Sequence, residues 1–259
     1  MRIVRFDSLE STNKYCEALD LAEVEDFTCY WALAQTAGIG QRTPSPLRGT
    51  PPNLGGEFNR WEAAPGQNLT FSLVLHPAFL PADRQFKLTE ALSLALVDVL
   101  KDFKDLKVLK DLKVKWPNDI YVAGLKICGT LVSTRLSSNT IASAVCGIGL
   151  NVNQREFPDW VPNPTSLSLL TGQTYALEPL LQQLLACIER RYNALRSGVD
   201  PEPEYLEHLL NLGVLARYKY NEEEIEATVT GVDSHGRLLL TAQDGRRLTC
   251  GMKEIALLA

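Results

Sequence analysis

Histidine and methionine are scarce in this chain of 259 residues, and its cysteines do not cluster. The three histidines, His76, His208 and His235, are far apart, and none pairs with a plausible nucleophile or metal ligand. His235, in Ser234-His235-Gly236-Arg237, reads as a turn residue. There is no GxSxG elbow and no GxxxxGK[ST] loop, which removes the commonest hydrolase and nucleotidase designs. The six cysteines, at 16, 29, 128, 146, 187 and 250, form no CxxC pair. That spacing argues against a zinc site or a disulfide framework and for reduced, buried thiols in a cytoplasmic protein. No apolar run approaches the roughly 18 residues a membrane-spanning helix needs, and the opening MRIVRFDSLE lacks a signal-peptide core. An excess of positive charge is missing too. With 26 Lys and Arg against 31 Asp and Glu, the net charge of -5 gives no electrostatic case for nucleic-acid binding.

At 45% hydrophobic and 22% charged residues, the chain can bury a sizeable core, in one large domain or a main domain with a small satellite. Short strands are expected at Ile3–Phe6, Thr28–Ala34 and Thr70–Leu75. A helix is expected from Ser11-Thr12-Asn13 to Leu21, its polar start free to act as a cap. Leu88, Leu92, Leu96 and Leu100 mark one face of a longer helix. Lys101–Lys115 reads as a solvated helix end running into a strand at Lys113–Trp116. Further strands follow at Ile120–Val122, Lys126–Thr134 and Ile141–Ile148, then an amphipathic helix over Pro179–Leu195. From residue 211 onward, four short strands separated by turn signals suggest a small barrel-like module. We therefore divide the chain into 1–210 and 211–259. Thr43–Phe58 packs four prolines and three glycines into sixteen residues and reads as an exposed, mobile insertion.

An enzyme that lacks an activated side-chain nucleophile must take its nucleophiles from its substrates. Two glycine-rich stretches, Gln35–Arg42 and Gly147–Asn151, each follow a strand. Each is either a structural turn or a place where backbone N–H groups meet an anionic ligand. The third signal is Lys115-Trp116-Pro117-Asn118-Asp119, with Lys126-Ile127-Cys128-Gly129 seven residues beyond. Pro117 ends the strand, so Asn118 and Asp119 should be presented rather than packed.

On these residues the chain resembles the biotin–protein ligases. The resemblance runs through SLESTN (Ser8–Asn13), AQTAGIGQR (Ala34–Arg42), NRWEAAPGQNLTFSLVL (Asn59–Leu75), KWPNDIYVAGLKICGTLV (Lys115–Val132), GIGLNVN (Gly147–Asn153) and HGRLLL…DG (His235–Gly245). It implies an α+β fold: a mixed, mainly antiparallel sheet with helices on one face, followed by a small SH3-like barrel. It also implies two-step acyl transfer. The carboxylate of biotin attacks the α-phosphate of magnesium ATP, and a lysine of a carboxylase's biotin carboxyl-carrier domain then attacks the biotinyl adenylate.

The roles carried over are specific. Ser11, Thr12, Asn13, Gln35, Gly38, Ile39, Gly40, Gln41, Gly129 and Gly147 would surround biotin. Trp61, Asn118, Asp119, Gly149 and Asn151 would surround the nucleotide and its magnesium, with no side-chain metal cluster. Lys126 and Arg42 would be the catalytic cations, Lys126 touching both ligands and Arg42 the nucleotide. Two departures stand out. Ile39 replaces a usual arginine, and the insertion separates Arg42 from Asn59-Arg60-Trp61. The STN motif begins at residue 11, which leaves no room for the helix-turn-helix domain of the repressor forms. Homodimerisation through sheet edges is compatible with the family. The rival readings are a lipoate–protein ligase, a biotin-binding protein with impaired catalysis, and a generic two-domain binding module, which leaves KWPND unexplained.

Overall fold

A computed structural model of the chain describes residues 1–42, 58–103, 111–221 and 223–258. The first strands and helix are β1 (Arg2–Phe6), α1 (Thr12–Glu17) and β2 (Thr28–Ala32). A hairpin of β3 (Ile39–Arg42) and β4 (Phe58–Arg60) leads to β5 (Leu69–Leu75) and α2 (Phe86–Lys101). Next come β6 (Leu112–Lys115), β7 (Asp119–Val122), β8 (Leu125–Ser137) and β9 (Thr140–Leu150). Three helices follow, α3 (Leu167–Thr171), α4 (Leu177–Arg196) and α5 (Glu202–His208). The chain closes with β10 (Leu215–Tyr220), β11 (Glu223–Val232), β12 (Leu238–Ala242), β13 (Arg247–Cys250) and β14 (Ile255–Leu257).

The main sheet has seven strands in the order β1-β2-β5-β9-β8-β7-β6. Only β1 and β2 run parallel, so the sheet is mixed and mainly antiparallel. Side chains alternate across it. On β5, Leu69, Phe71, Leu73 and Leu75 point into the large core, which α2 and α4 close from above. Val74 points the other way, into a smaller cluster with Cys16, Leu21, Tyr30 and Val145 beside α1. The periodic leucines 88, 92, 96 and 100 of α2 are all buried, as their spacing requires.

Several elements depart from the sequence reading. The first helix stops at Glu17, and a 3-10 turn at Leu21–Glu23 completes that segment. Ser11 occupies its N-cap position, but its hydroxyl makes no capping hydrogen bond. Helices α3 and α5 and strand β14 are too short to leave a periodic signature. Residues 43–57 of the insertion and residues 104–110 of the expected solvated helix end lie outside the described residues.

The second sheet is antiparallel throughout, in the order β13-β12-β11-β10-β14. Its turn at Gly236 is seated on the main domain. The Trp116 indole N–H donates to the Gly236 carbonyl at 2.9 Å. Gly236 has φ +79°, and a Cβ there would lie 2.2 Å from the Phe86 ring. Tyr205 from α5 donates its hydroxyl to the Pro117 carbonyl at 2.9 Å, below the same turn.

A charge cluster built on the buried Lys87 and Glu90 of α2 ties that helix to Asp200 and to Glu202 at the start of α5. Lys87 Nζ lies 2.8 Å from Asp200 Oδ1, 2.6 Å from Glu202 Oε2 and 3.2 Å from Glu90 Oε2. Glu90 is fully buried, and burial pushes its carboxyl up to about 7 although Lys87 opposes the shift. A carboxyl raised in the folded chain stabilises the fold fully below its unfolded value, and that stability is lost as pH rises through the folded one. Glu90→Gln should therefore melt higher than the wild type near pH 8, with the gap closing towards about pH 5. Melting curves that stay parallel across that range would mean that Glu90 ionises as readily in the folded chain as in the unfolded one.

Candidate active site

The site lies on the face of the main sheet opposite α2 and α4, where three glycines leave the surface bare. Gly129 of β8 pairs with Gly149 of β9, and Gly147 of β9 pairs with Ser72 of β5. Each glycine seats a functional side chain. A Cβ on Gly147 would come within 2.1 Å of Asn13 Oδ1, and one on Gly149 within 2.3 Å of Trp61 Cε2. A Cβ on Gly129 would lie 3.2 Å from Asp119 Oδ1 and 3.4 Å from Lys126 Nζ. The expectation that Gly147 and Gly149 admit the ligand directly is thus refined: in this structure they admit Asn13 and Trp61.

The resulting cavity of about 210 Å³ is lined by Ser11, Thr12, Asn13, Gln35, Gly40, Trp61, Asp119, Lys126, Gly129, Gly147, Gly149 and Asn151, among others. It is smaller than the ~300–1,000 Å³ usual for small-molecule sites, and the indole of Trp61 lies against Gly149 on its floor.

At one end, polar groups form a connected chain. The Thr12 backbone N–H donates to Gln35 Oε1 at 2.7 Å, and the Thr12 hydroxyl lies 3.2 Å from the same oxygen. The Ser72 hydroxyl lies 2.8 Å from Thr12 Oγ1 and 2.5 Å from Asn13 Oδ1. Asn13 Nδ2 is buried without a hydrogen-bond partner. A donor so placed costs free energy unless a ligand acceptor meets it. At the other end, Lys126 Nζ donates to Asp119 Oδ2 at 2.6 Å. Lys115, opposite Asp119 in the strand register, is a second cation nearby. Burial holds its ammonium below the ordinary lysine value, and the charge of Lys126 adds to that effect.

Not every expected residue reaches the cavity. Asn118 is buried, and its amide donates to the Thr130 carbonyl at 2.8 Å, so it joins the turn to β8 rather than being presented. The Trp116–Pro117 bond is cis. Gly38 sits behind the wall, its carbonyl accepting from the Trp61 N–H at 3.1 Å, and a Cβ there would lie 2.6 Å from the Trp61 carbonyl oxygen. For Ile39, Gln41 and Arg42 the backbone alone is described. It pairs Ile39 with Arg60 and Arg42 with Phe58, so the two halves of the interrupted loop meet in space.

Other contributors carried no sequence signal. Ser72 looks like any strand residue until its pairing with Gly147 is known. Phe157, Trp160, Val161, Pro162 and Pro164 line the cavity from a segment without regular structure. That segment is anchored to Lys126, whose N–H donates to the Asn163 carbonyl at 2.7 Å and whose carbonyl accepts from the Thr165 N–H at 2.9 Å. Asn151 donates its amide to the Thr165 carbonyl at 2.9 Å, leaving a buried Oδ1 without a partner. A buried polar knot links this wall to the one bearing Trp61. Gln154 Oε1 accepts from the Ala64 N–H at 2.9 Å and from Asn68 Nδ2 at 2.5 Å, while Asn68 Oδ1 accepts from the Val152 N–H at 2.9 Å.

Residues 53–151 match the family model described as the biotin/lipoate A/B protein ligase family. The bifunctional ligase/repressor BirA of Bacillus subtilis is 28% identical over 248 residues, which is 94% of this chain and 70% of that protein. The biotin–[acetyl-CoA-carboxylase] ligase of Paracoccus denitrificans is also 28% identical, across 92% of this chain and 94% of its own length. In fold, the chain is similar to the biotin protein ligase of Aquifex aeolicus solved with biotin and ATP. The TM-score is 0.76 at 23% identity, over 99% of this chain and 98% of that one. The family model, the relatives and the solved structure that the chain resembles are all biotin or biotin/lipoate ligases.

Gln154→Leu removes the acceptor shared by Ala64 N–H and Asn68 Nδ2. It should cost roughly 1–3 kcal/mol for each orphaned donor, read as a lower unfolding midpoint in denaturant. An unchanged midpoint would show that the knot is dispensable.

Proposed function

We propose that this chain joins biotin to a lysine of a biotin carboxyl-carrier domain, using ATP and passing through biotinyl-5′-AMP. The observation that carries the reading is the pairing of a buried, unsatisfied polar end with a cationic end in one cavity. The ureido ring of biotin has a carbonyl that needs donors and N–H groups that need acceptors. Asn13 Nδ2 can meet the carbonyl, while Thr12, Ser72 and Asn13 already form an oriented polar row. The valeryl carboxylate then points towards Lys126 and Asp119.

In the first half-reaction the biotin carboxylate oxygen bonds to the α-phosphorus of ATP, and the bond to pyrophosphate breaks. Lys126 holds the carboxylate against the phosphate and offsets negative charge building on the phosphoryl oxygens. Lys115 adds positive potential from β6, and Trp61 offers a flat apolar surface to the adenine. In the second half-reaction the ε-amine of the acceptor lysine attacks the acyl carbon, and AMP leaves with the electron pair of the broken anhydride bond. Both nucleophiles come from substrates, which fits a site built without a catalytic serine, cysteine or histidine.

Magnesium commonly binds through one or two carboxylates together with substrate phosphates. Among the described residues no cluster of three His, Cys, Asp or Glu side chains could hold a metal by itself. Asp119 and Glu62 are the carboxylates lining the cavity, so the residues suit an ion that arrives on the nucleotide and neutralises phosphate charge there.

A second cleft, of about 830 Å³, runs between the KWPND turn and the second sheet and shares Asn13, Gly40, Asp119 and Leu131 with the first. It offers the acceptor lysine a route to the acyl carbon. The six cysteines are all buried and unpaired, which supports a reducing compartment such as the cytoplasm. Among the described residues no helix is long and apolar enough to cross a membrane.

The test is intact-mass analysis of a carboxyl-carrier domain incubated with this protein, magnesium ATP and biotin. A mass gain of one biotin is expected, with none from lipoate, and Lys126→Ala should slow it by about 100- to 1,000-fold. Lipoate transfer, or wild-type speed in the variant, would overturn the reading.

A further inference from the structure

Ser72 does not line the cavity, yet it decides which way the Asn13 amide faces. It is fully buried on β5, and its strand partner is Gly147, on which that amide rests. Ser72 therefore stands behind Asn13 as seen from the cavity. Among the described residues it is the only hydrogen-bond partner of the amide: its oxygen lies 2.5 Å from Oδ1, while Nδ2 has no partner. An amide held from one side can be turned over, and the row Gln35, Thr12, Ser72, Asn13 could then run in either of two directions. In one, the Thr12 hydroxyl donates to Ser72 and the Ser72 hydroxyl to Asn13 Oδ1, which leaves Nδ2 for a ligand. In the other, Asn13 Nδ2 donates to Ser72, Ser72 to Thr12 and Thr12 to Gln35 Oε1, which leaves Oδ1. The lengths select the first. A contact of 2.5 Å suits O–H···O and is shorter than N–H···O bonds run, and Thr12 Oγ1 is nearer to Ser72, at 2.8 Å, than to Gln35 Oε1, at 3.2 Å.

Resting on the ligase reading, we propose that Ser72 is a positioning residue that sets the chemistry of the ligand: by giving its proton to Asn13 Oδ1 it commits the Asn13 amide N–H groups to a ligand acceptor. The site then takes a cyclic urea, whose carbonyl accepts, and rejects a cyclic guanidinium of the same outline, which offers only N–H groups there. Donors that face each other in a buried site leave both unpaired, and that costs more than a missing hydrogen bond in water. Thr12 supports the choice, since its hydroxyl donates to Ser72 and its backbone N–H holds the Gln35 carbonyl oxygen. Without the Ser72 hydroxyl the amide is untied and can turn to suit either ligand.

The experiment measures equilibrium binding of biotin and of 2-iminobiotin, whose imino group is protonated at neutral pH, to wild type, Ser72→Ala and Ser72→Cys. Wild type should prefer biotin. Ser72→Ala should lower that preference by about ten-fold or more, the scale of one hydrogen bond to a charged group, with 2-iminobiotin bound more tightly than by wild type. Ser72→Cys, whose S–H is a weak donor, should fall between the two. Damage to packing alone would weaken both ligands together and leave their ratio where it was, so the ratio is the readout. An unchanged ratio in Ser72→Ala would overturn the proposal, as would a wild type that binds the two ligands equally. The ligase reading fails separately, in a wild type that prefers biotin and yet transfers none to a carrier domain.

Discussion

The bare strip made by Gly129, Gly147 and Gly149 is the constraint on which the other features of the site depend. A β-sheet face normally carries a side chain at every second residue, and those side chains fill the space above it. Here three neighbouring positions on one face have none, Gly129 and Gly149 paired across β8 and β9 and Gly147 two residues along β9, and the vacated space is taken by Asn13, Trp61 and the Lys126–Asp119 pair. The helix α1, the hairpin of β3 and β4, and the KWPND turn can each bring a polar or aromatic group down onto the sheet only because no Cβ stands in the way. The large core on the opposite face fixes the sheet itself, since the same strands bury leucine and isoleucine there.

Charge is used sparingly around this strip. Lys126 of β8 is held by Asp119, and Lys115 stands opposite Asp119 on β6 with its ammonium over the Tyr121 ring. The ion pair also keeps the Lys126 ammonium from having to be drawn out of bulk water when substrate binds. Groups fixed in advance need little reorganisation during reaction, which is what a protein supplying no nucleophile of its own has to offer. The buried knot of Gln154 and Asn68 extends this rigidity to the two walls that bear Trp61 and Asn151.

Much of this was legible in the residues, because the signals were local. The four-residue spacing of Leu88 to Leu100 reports a buried helix face, and the short strands between turns report the second sheet. KWPND with Lys126 reports the cationic end of the site, because the strand turn that joins them spans few residues. What escaped depended on which strand lies beside which. Ser72 gains its place only through pairing with Gly147, seventy-five positions away by count of the numbering. Asn118 looked exposed because it follows a proline, yet the bend turns it inward to Thr130. Trp160 sits in a segment with no periodicity, and its nearness to Lys126 comes from backbone bonds that composition does not announce.

Absent side chains create the proposed binding surface, and Gly147→Ala tests this most directly. The added methyl carbon would fall 2.1 Å from Asn13 Oδ1, so Asn13 must leave the position from which we propose that it meets the ligand. Calorimetric titration with biotin, beside an unfolding curve to verify the fold, should show a cooperative transition like that of the wild type and a large loss of biotin affinity. Wild-type biotin affinity in a folded Gly147→Ala protein would contradict the account.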